Sequence, residues 1–232
     1  MQKNVKNLLL SCLLSVFMSH TAYSASLSEY YTVLLMYLKK PYEMGEVAPL
    51  SESVGKEISL FVKAASEQGK YYLEAGGGCG AITSCIVQKL RNQDHLDVIE
   101  INPELCELLQ SRFAAYPNVK IHCCSVLDWH PDYQYDAIMS TLPLLFLGLE
   151  FAENSMGYFK SVLKKQGTFS CVEYPVCTFF RDLGQLFVSQ KTIDFTSVQN
   201  YMKTVRNNCL VASSTIYLNI PPINVYHLCL HE

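Results

Sequence analysis

The chain has 232 residues, half of them apolar and 17% charged, which is enough to bury a substantial core and excludes wholesale disorder. Its 18 Lys and Arg stand against 21 Asp and Glu, and a net charge of −3 argues against a nucleic-acid binder, which usually carries a basic excess. Ten cysteines are spaced irregularly and form no Cys-x-x-Cys, and no His stands at ligand spacing from a Cys pair. Reduced thiols packed as small hydrophobes, and no metal site, are the expectation.

Met1 to Ser26 has the form of a leader. Lys3 and Lys6 precede an apolar run from Leu8 to Met18, interrupted by Ser11, Cys12 and Ser15, and Thr21 to Ala25 offers small residues for cleavage. A secretory signal, an uncleaved membrane-surface helix and a start assigned too early all fit this pattern. The run is shorter than the ~18 residues of a spanning helix. Leu27 to Lys40 is a predicted helix, apolar nearly all round and stopped by Lys39, Lys40 and Pro41. Its tyrosines beside lysines suit a bilayer interface, and a core-covering helix fits equally. A second helix is expected from Ser51, its N-cap, to about Ala65.

From Lys70 the pattern alternates. Strands are predicted at Tyr71 to Ala75, Leu96 to Glu100, Val119 to Cys123, Tyr135 to Ser140 and Gly167 to Tyr174. Helices are predicted at Gly80 to Arg91, Pro103 to Phe113 and Phe151 to Leu163, and weaker ones at Phe179 to Val188 and Ser197 to Val205. Two last strands, Cys209 to Asn219 and Asn224 to Leu230, are joined by Ile220 to Ile223, too short a joint for a crossover, so they should be antiparallel. The whole is an α/β chain: a doubly wound, mostly parallel seven-stranded sheet with a C-terminal antiparallel hairpin. Residues 1–26 are the leader or membrane anchor, 27–69 a helical extension and 70–232 one domain.

The informative segment is Glu74-Ala75-Gly76-Gly77-Gly78-Cys79-Gly80, which closes a strand and opens a helix. Glycines there let the backbone turn tightly and approach a ligand. Glu100 ends the next strand, where an acid accepts hydrogen bonds from two ribose hydroxyls. The spacing is Glu-x-Gly-x-Gly-x-Gly, not the Gly-x-Gly-x-x-Gly of dinucleotide sites. Here the chain resembles the class I S-adenosylmethionine-dependent methyltransferases. The resemblance covers Tyr71 to Tyr174 and the terminal hairpin, and implies a Rossmann-like fold and S-adenosylmethionine as cofactor. It implies cofactor contacts from Glu74, Gly76, Gly78, Gly80 and Glu100. Asp128 matches the acid that contacts the adenine amino group, and Trp129 beside it would line the adenine pocket.

After the fourth strand comes Ser140-Thr141-Leu142-Pro143-Leu144, not the Asn/Asp-Pro-Pro-aromatic of adenine N-methylating enzymes. Together with Gly45 to Ser51, Gly167 to Pro175 and Asn219-Ile220-Pro221-Pro222, this stretch resembles the bacterial phospholipid N-methyltransferases, which are related to the rRNA adenine dimethylases. The resemblance covers roughly residues 30 to 232 and implies methylation of a headgroup amine such as that of phosphatidylethanolamine, with the phospholipid surface as partner. Leu142, Pro143 and Tyr174 would line the reacting centre. Glu173 is a candidate proton acceptor, and faces of Tyr174, Tyr30, Tyr31 or Tyr42 would hold methylated cations. Two departures from that family are Leu50, where a small polar residue is usual, and Cys171-Val172-Glu173 before the tyrosine. RNA adenine or a small molecule is the alternative acceptor. S-adenosylmethionine is cytosolic, so the expected location is the cytoplasmic face of the membrane, with export through the leader as the alternative.

Overall fold

The computed structural model describes residues 50–63, 68–173, 194–219 and 222–231. The leader, the helix expected at Leu27 to Lys40, the helix expected at Phe179 to Val188, Tyr174 and Pro221 lie outside the described residues.

The described chain runs α1 (Glu52–Ile58), β1 (Tyr71–Ala75), α2 (Ala81–Val87), β2 (His95–Glu100), α3 (Pro103–Arg112), β3 (Val119–Cys123), a 3-10 turn (Val126–Asp128) and β4 (Tyr135–Ser140). It continues through α4 (Leu144–Leu147), α5 (Leu149–Val162), β5 (Leu163–Glu173), α6 (Phe195–Cys209), β6 (Leu210–Ile216) and β7 (Ile223–Leu228). The strands form one seven-stranded sheet in the order β3-β2-β1-β4-β5-β7-β6. The first five strands pair parallel, and β7 runs antiparallel to both β5 and β6. The fold class read from the sequence stands.

Both faces of the sheet are covered, so the central strands β1 and β4 are buried along nearly their whole length. One face packs α1, α2 and α3 through residues such as Ile58, Ile86 and Leu109. The other packs α5 and α6 through Phe159, Phe169 and Met202. The Phe159 and Phe169 rings lie 4.9 Å apart and are fully buried, each contributing about 1.5–3 kcal/mol by removal from water.

Several element ends differ from the sequence reading. The helix expected to run from Ser51 to Ala65 ends at Ile58. Ser59 turns its hydroxyl back to the Gly55 carbonyl, and Lys89 donates to the Lys56 and Ser59 carbonyls, 3.3 and 2.8 Å away. Side chains thus satisfy the last carbonyls and the helix stops. The helix α2 ends at Val87, not Arg91, and a short helix, α4, follows Pro143 where no element was expected. The expectation of reduced cysteines is corrected at one pair: Cys106 and Cys123 are disulfide-bonded, with Cα atoms 5.8 Å apart. Pairing of β2 with β3 brings Cys123 alongside Glu100, next to the first turn of α3, an adjacency that a separation of 17 residues conceals.

Candidate active site

Strand order reverses between β1 and β4, both parallel, with β2 beyond one and β5 beyond the other. In a doubly wound sheet the crevice at the carboxyl ends of two such strands is where ligands bind. The two segments singled out by sequence, the glycine loop after β1 and Leu142-Pro143 after β4, meet there.

The loop is fixed from both sides. Gly76 and Gly77 both donate to the Ile99 carbonyl at the end of β2, at 2.9 and 3.1 Å. Thr141, just past β4, donates its amide to Ala75 at 3.0 Å and its hydroxyl to the Gly76 carbonyl at 2.7 Å. Gly76, Gly78 and Gly80 have φ of 90°, 52° and 86°, the left-handed region that glycine enters without a Cβ clash. A Cβ on Gly76 would lie 2.8 Å from Thr141 Oγ1, and one on Gly80 would lie 2.7 Å from the Phe113 ring. Arg112 steadies the loop from behind by donating to the Cys79 carbonyl at 3.0 Å.

Glu100 reaches this loop. Its Oε2 accepts from the Gly78 amide and its Oε1 from the Asn102 amide, each at 2.8 Å. Each carboxylate oxygen accepts two hydrogen bonds, so both keep capacity for a ligand hydroxyl. Asn102 also N-caps α3, its side chain accepting from Glu104 and Leu105. Glu74 is fully buried on β1, and its Oε2 accepts from the Thr83 hydroxyl of α2 at 2.7 Å. It braces the loop's two flanking elements. Sequence reading missed Asn102, Thr83 and Thr141; the Asn-Pro that opens α3 was the signal for the first.

Asp128 is exposed on the 3-10 turn after β3, on the same rim as Glu100. Trp129 is half-buried: its ring lies 3.7 Å from that of His122, and its Nε1 donates to the Tyr135 hydroxyl at 2.8 Å. Leu142 and Pro143 are half-buried at the end of β4, and a Cβ on Gly76 would lie 3.4 Å from Leu142 Cδ2. Glu173, the candidate proton acceptor, ends β5 in an ion pair with Arg206. Burial raises its pKa and the Arg206 guanidinium pulls it back. The Arg206 guanidinium also lies 4.7 Å over the Tyr226 ring.

A second carboxylate cluster lies behind the site on β2. Asp97 is fully buried and accepts from His95 and His122 on Oδ1 and from the Tyr133 and Tyr135 hydroxyls on Oδ2. Burial alone would raise its pKa, but these four donors outweigh it and hold the carboxyl well below the usual carboxylate range. The same burial, together with the charge of Asp97, drives the Tyr133 and Tyr135 hydroxyls upward. Among the described residues no group of His, Cys, Asp and Glu is arranged to hold a metal ion.

The arrangement suits a ligand with vicinal hydroxyls and an extended polar tail. A glycine loop without side chains, a carboxylate with spare acceptor capacity and an apolar wall at Leu142 converge on one crevice. Residues 73–167 match the family model of a methyltransferase domain. An ornithine lipid N-methyltransferase from Singulisphaera acidiphila is 27% identical over 110 residues, covering 45% of this chain and 57% of that protein. The chain therefore spans little more than half the length of that curated relative. Among solved structures, the N-methyltransferase NodS from Bradyrhizobium japonicum in complex with S-adenosyl-l-homocysteine has a TM-score of 0.57 at 14% identity, covering 86% of this chain and 97% of that one. A precorrin 8w decarboxylase from Methanobacterium thermoautotrophicum has a TM-score of 0.52 at 15% identity, covering 78% and 91%. At these identities the solved structures establish the fold alone, a Rossmann-like one that this chain shares with NodS and the decarboxylase. Fold, loop geometry and family match agree: residues 73–167 form a methyltransferase domain, and its cofactor is S-adenosylmethionine.

Proposed function

We propose that the chain transfers a methyl group from S-adenosylmethionine to the amine of a lipid headgroup, of which phosphatidylethanolamine is one example. The observation that carries the cofactor half is the Glu100 carboxylate, held on the glycine loop by Gly78 and Asn102 with an acceptor site left on each oxygen. The lipid half is supported by the Leu142-Pro143-Leu144 stretch, by the lack of an Asn/Asp-Pro-Pro-aromatic motif after β4, and by similarity to an ornithine lipid N-methyltransferase.

When bound, the cofactor supplies a methyl group already activated on a sulfonium sulfur. The chain's task is then to align an amine with that methyl and to exclude water. Glu100 would hold the ribose hydroxyls, and the glycine loop admits the backbone of the cofactor's amino-acid part. Leu142 and Pro143 wall the crevice beside the loop and keep it dry. Glu173 stands at the end of the neighbouring strand, and its ion pair with Arg206 makes it a positioning group rather than a free base. Tyr174, next in sequence, would offer its ring to a methylated ammonium. A phospholipid surface would be the partner, and the cytoplasmic face of the membrane, where the cofactor is made, the place of action. Among the described residues no helix is long and apolar enough to cross a membrane.

The test is transfer of labelled methyl by the full chain to vesicles of phosphatidylethanolamine, to ornithine lipid, to free ethanolamine and to adenine-containing RNA. Label in a lipid amine is the expected result. Label in RNA or only in the free amine would refute the lipid reading and leave the methyltransferase domain intact.

A further inference from the structure

We propose that the Cys106–Cys123 pair is a thiol–disulfide modification site whose redox state sets how tightly the chain holds S-adenosylmethionine. The proposal rests on the cofactor role of Glu100 given above.

Three observations place the pair around that residue, two at its backbone and one, through Asn102, at its carboxylate. Cys123 is the last residue of β3 and the direct register partner of Glu100 on β2. The next amide, of Cys124, donates to the Glu100 carbonyl at 3.1 Å, and Cys106 Sγ lies 3.3 Å from the same carbonyl. On the other side, the Cys106 amide donates to the Asn102 carbonyl at 2.9 Å, and the Asn102 amide holds Glu100 Oε1 at 2.8 Å. The disulfide therefore closes a ring around Glu100: β3 on one side, the first turn of α3 on the other, with the group that orients the carboxylate between them. While the bond stands, α3 and β3 cannot separate and Asn102 stays in register with Glu100. Without it, hydrogen bonds and the packing of Leu109 against Val98 still hold α3 in place but leave its first turn freer, the carboxylate ranges over more orientations, and cofactor binding must bear the cost of ordering it.

The two sulfurs differ in access. Cys123 is exposed and Cys106 is buried. An external thiolate would attack Cys123 Sγ and form a new S–S bond there, while the bond to Cys106 breaks and its electron pair leaves on Cys106 as thiolate. A second external thiolate attacks the outer sulfur of the mixed disulfide and releases Cys123. The two external thiols end as one small disulfide, and their two protons end on the two cysteines. Glutathione supplies the thiol, and glutathione disulfide the oxidant for the reverse step.

The experiment titrates S-adenosylmethionine into the full chain oxidised with glutathione disulfide and into the chain reduced with dithiothreitol, with the state of Cys106 and Cys123 read by mass. The reduced protein is expected to bind about fivefold or more weakly. Cys123→Ser, at an exposed position, should match the reduced protein under both conditions. Because linkage is reciprocal, saturating cofactor should shift the glutathione ratio at half-reduction by the same factor, in favour of the disulfide. A bond that only staples the fold would raise the melting temperature and leave affinity unchanged. Equal affinity in the two states, or no Cys106–Cys123 bond under glutathione disulfide, would overturn the proposal. Absence of binding in both states would instead refute the cofactor role of this crevice, and the proposal with it.

Discussion

Strand β2 carries two buried carboxylates three residues apart, Asp97 and Glu100, pointing to opposite faces of the sheet. Asp97 fills all its acceptor positions from within the chain, two histidine N–H groups on one oxygen and two tyrosine hydroxyls on the other. Glu100, at the strand's end, takes one backbone amide on each oxygen and keeps the rest of its capacity at the rim. The same chemical group on the same strand is thus fully engaged within the chain in one place and left with spare acceptor capacity in the other. What separates them is not burial, since both are under a tenth exposed, but how much acceptor capacity the fold leaves unspent.

Substitution should divide the pair cleanly. Asp97→Asn removes the charge on which four donors converge and should cost about 2–4 kcal/mol of stability, seen as a lower denaturation midpoint, while the folded fraction still binds cofactor. Glu100→Ala should do the reverse, weakening S-adenosylmethionine binding by about 1.5–3 kcal/mol with a smaller effect on the midpoint. Acid unfolding sharpens the contrast. The pKa of Asp97 is depressed in the folded state, so its contribution is present above about pH 4 and is lost as pH falls further. Wild type should lose stability steeply below that point and Asp97→Asn more gently, as followed by circular dichroism. Trp129→Phe tests the margin of the cluster. It removes the hydrogen bond to Tyr135 and keeps a ring beside His122, so a loss of about 0.5–1.5 kcal/mol in thermal unfolding is expected.

The sequence exposed Glu100 but not the role of Asp97, for a physical reason. The glycine loop is one continuous segment whose spacing is set by a single turn, and the acid that serves it closes the next strand, so both appear as local pattern. The partners of Asp97 come from positions 95, 122, 133 and 135, and only the pairing of β2 with β3 and the loop before β4 bring them together. Strands β1, β3 and β4 begin and end where alternation and apolar runs placed them, because backbone pairing enforces those limits. Helix ends were less legible. Lys89, thirty residues from Ser59, helps terminate α1. The Cys106–Cys123 bond was hidden likewise, since register and not spacing makes the two neighbours. Leu142 lies beside the loop at Gly76, with Pro143 next to it in sequence, while Tyr174 lies outside the described residues.

The most direct test of the cofactor assignment is calorimetric titration of S-adenosylmethionine into the full chain, with Glu100→Ala and Asp97→Asn measured beside it. Saturable binding by wild type and by folded Asp97→Asn, with a loss of about tenfold to a hundredfold in Glu100→Ala, is the predicted outcome. Binding that is absent from wild type, or unchanged by Glu100→Ala, would contradict it.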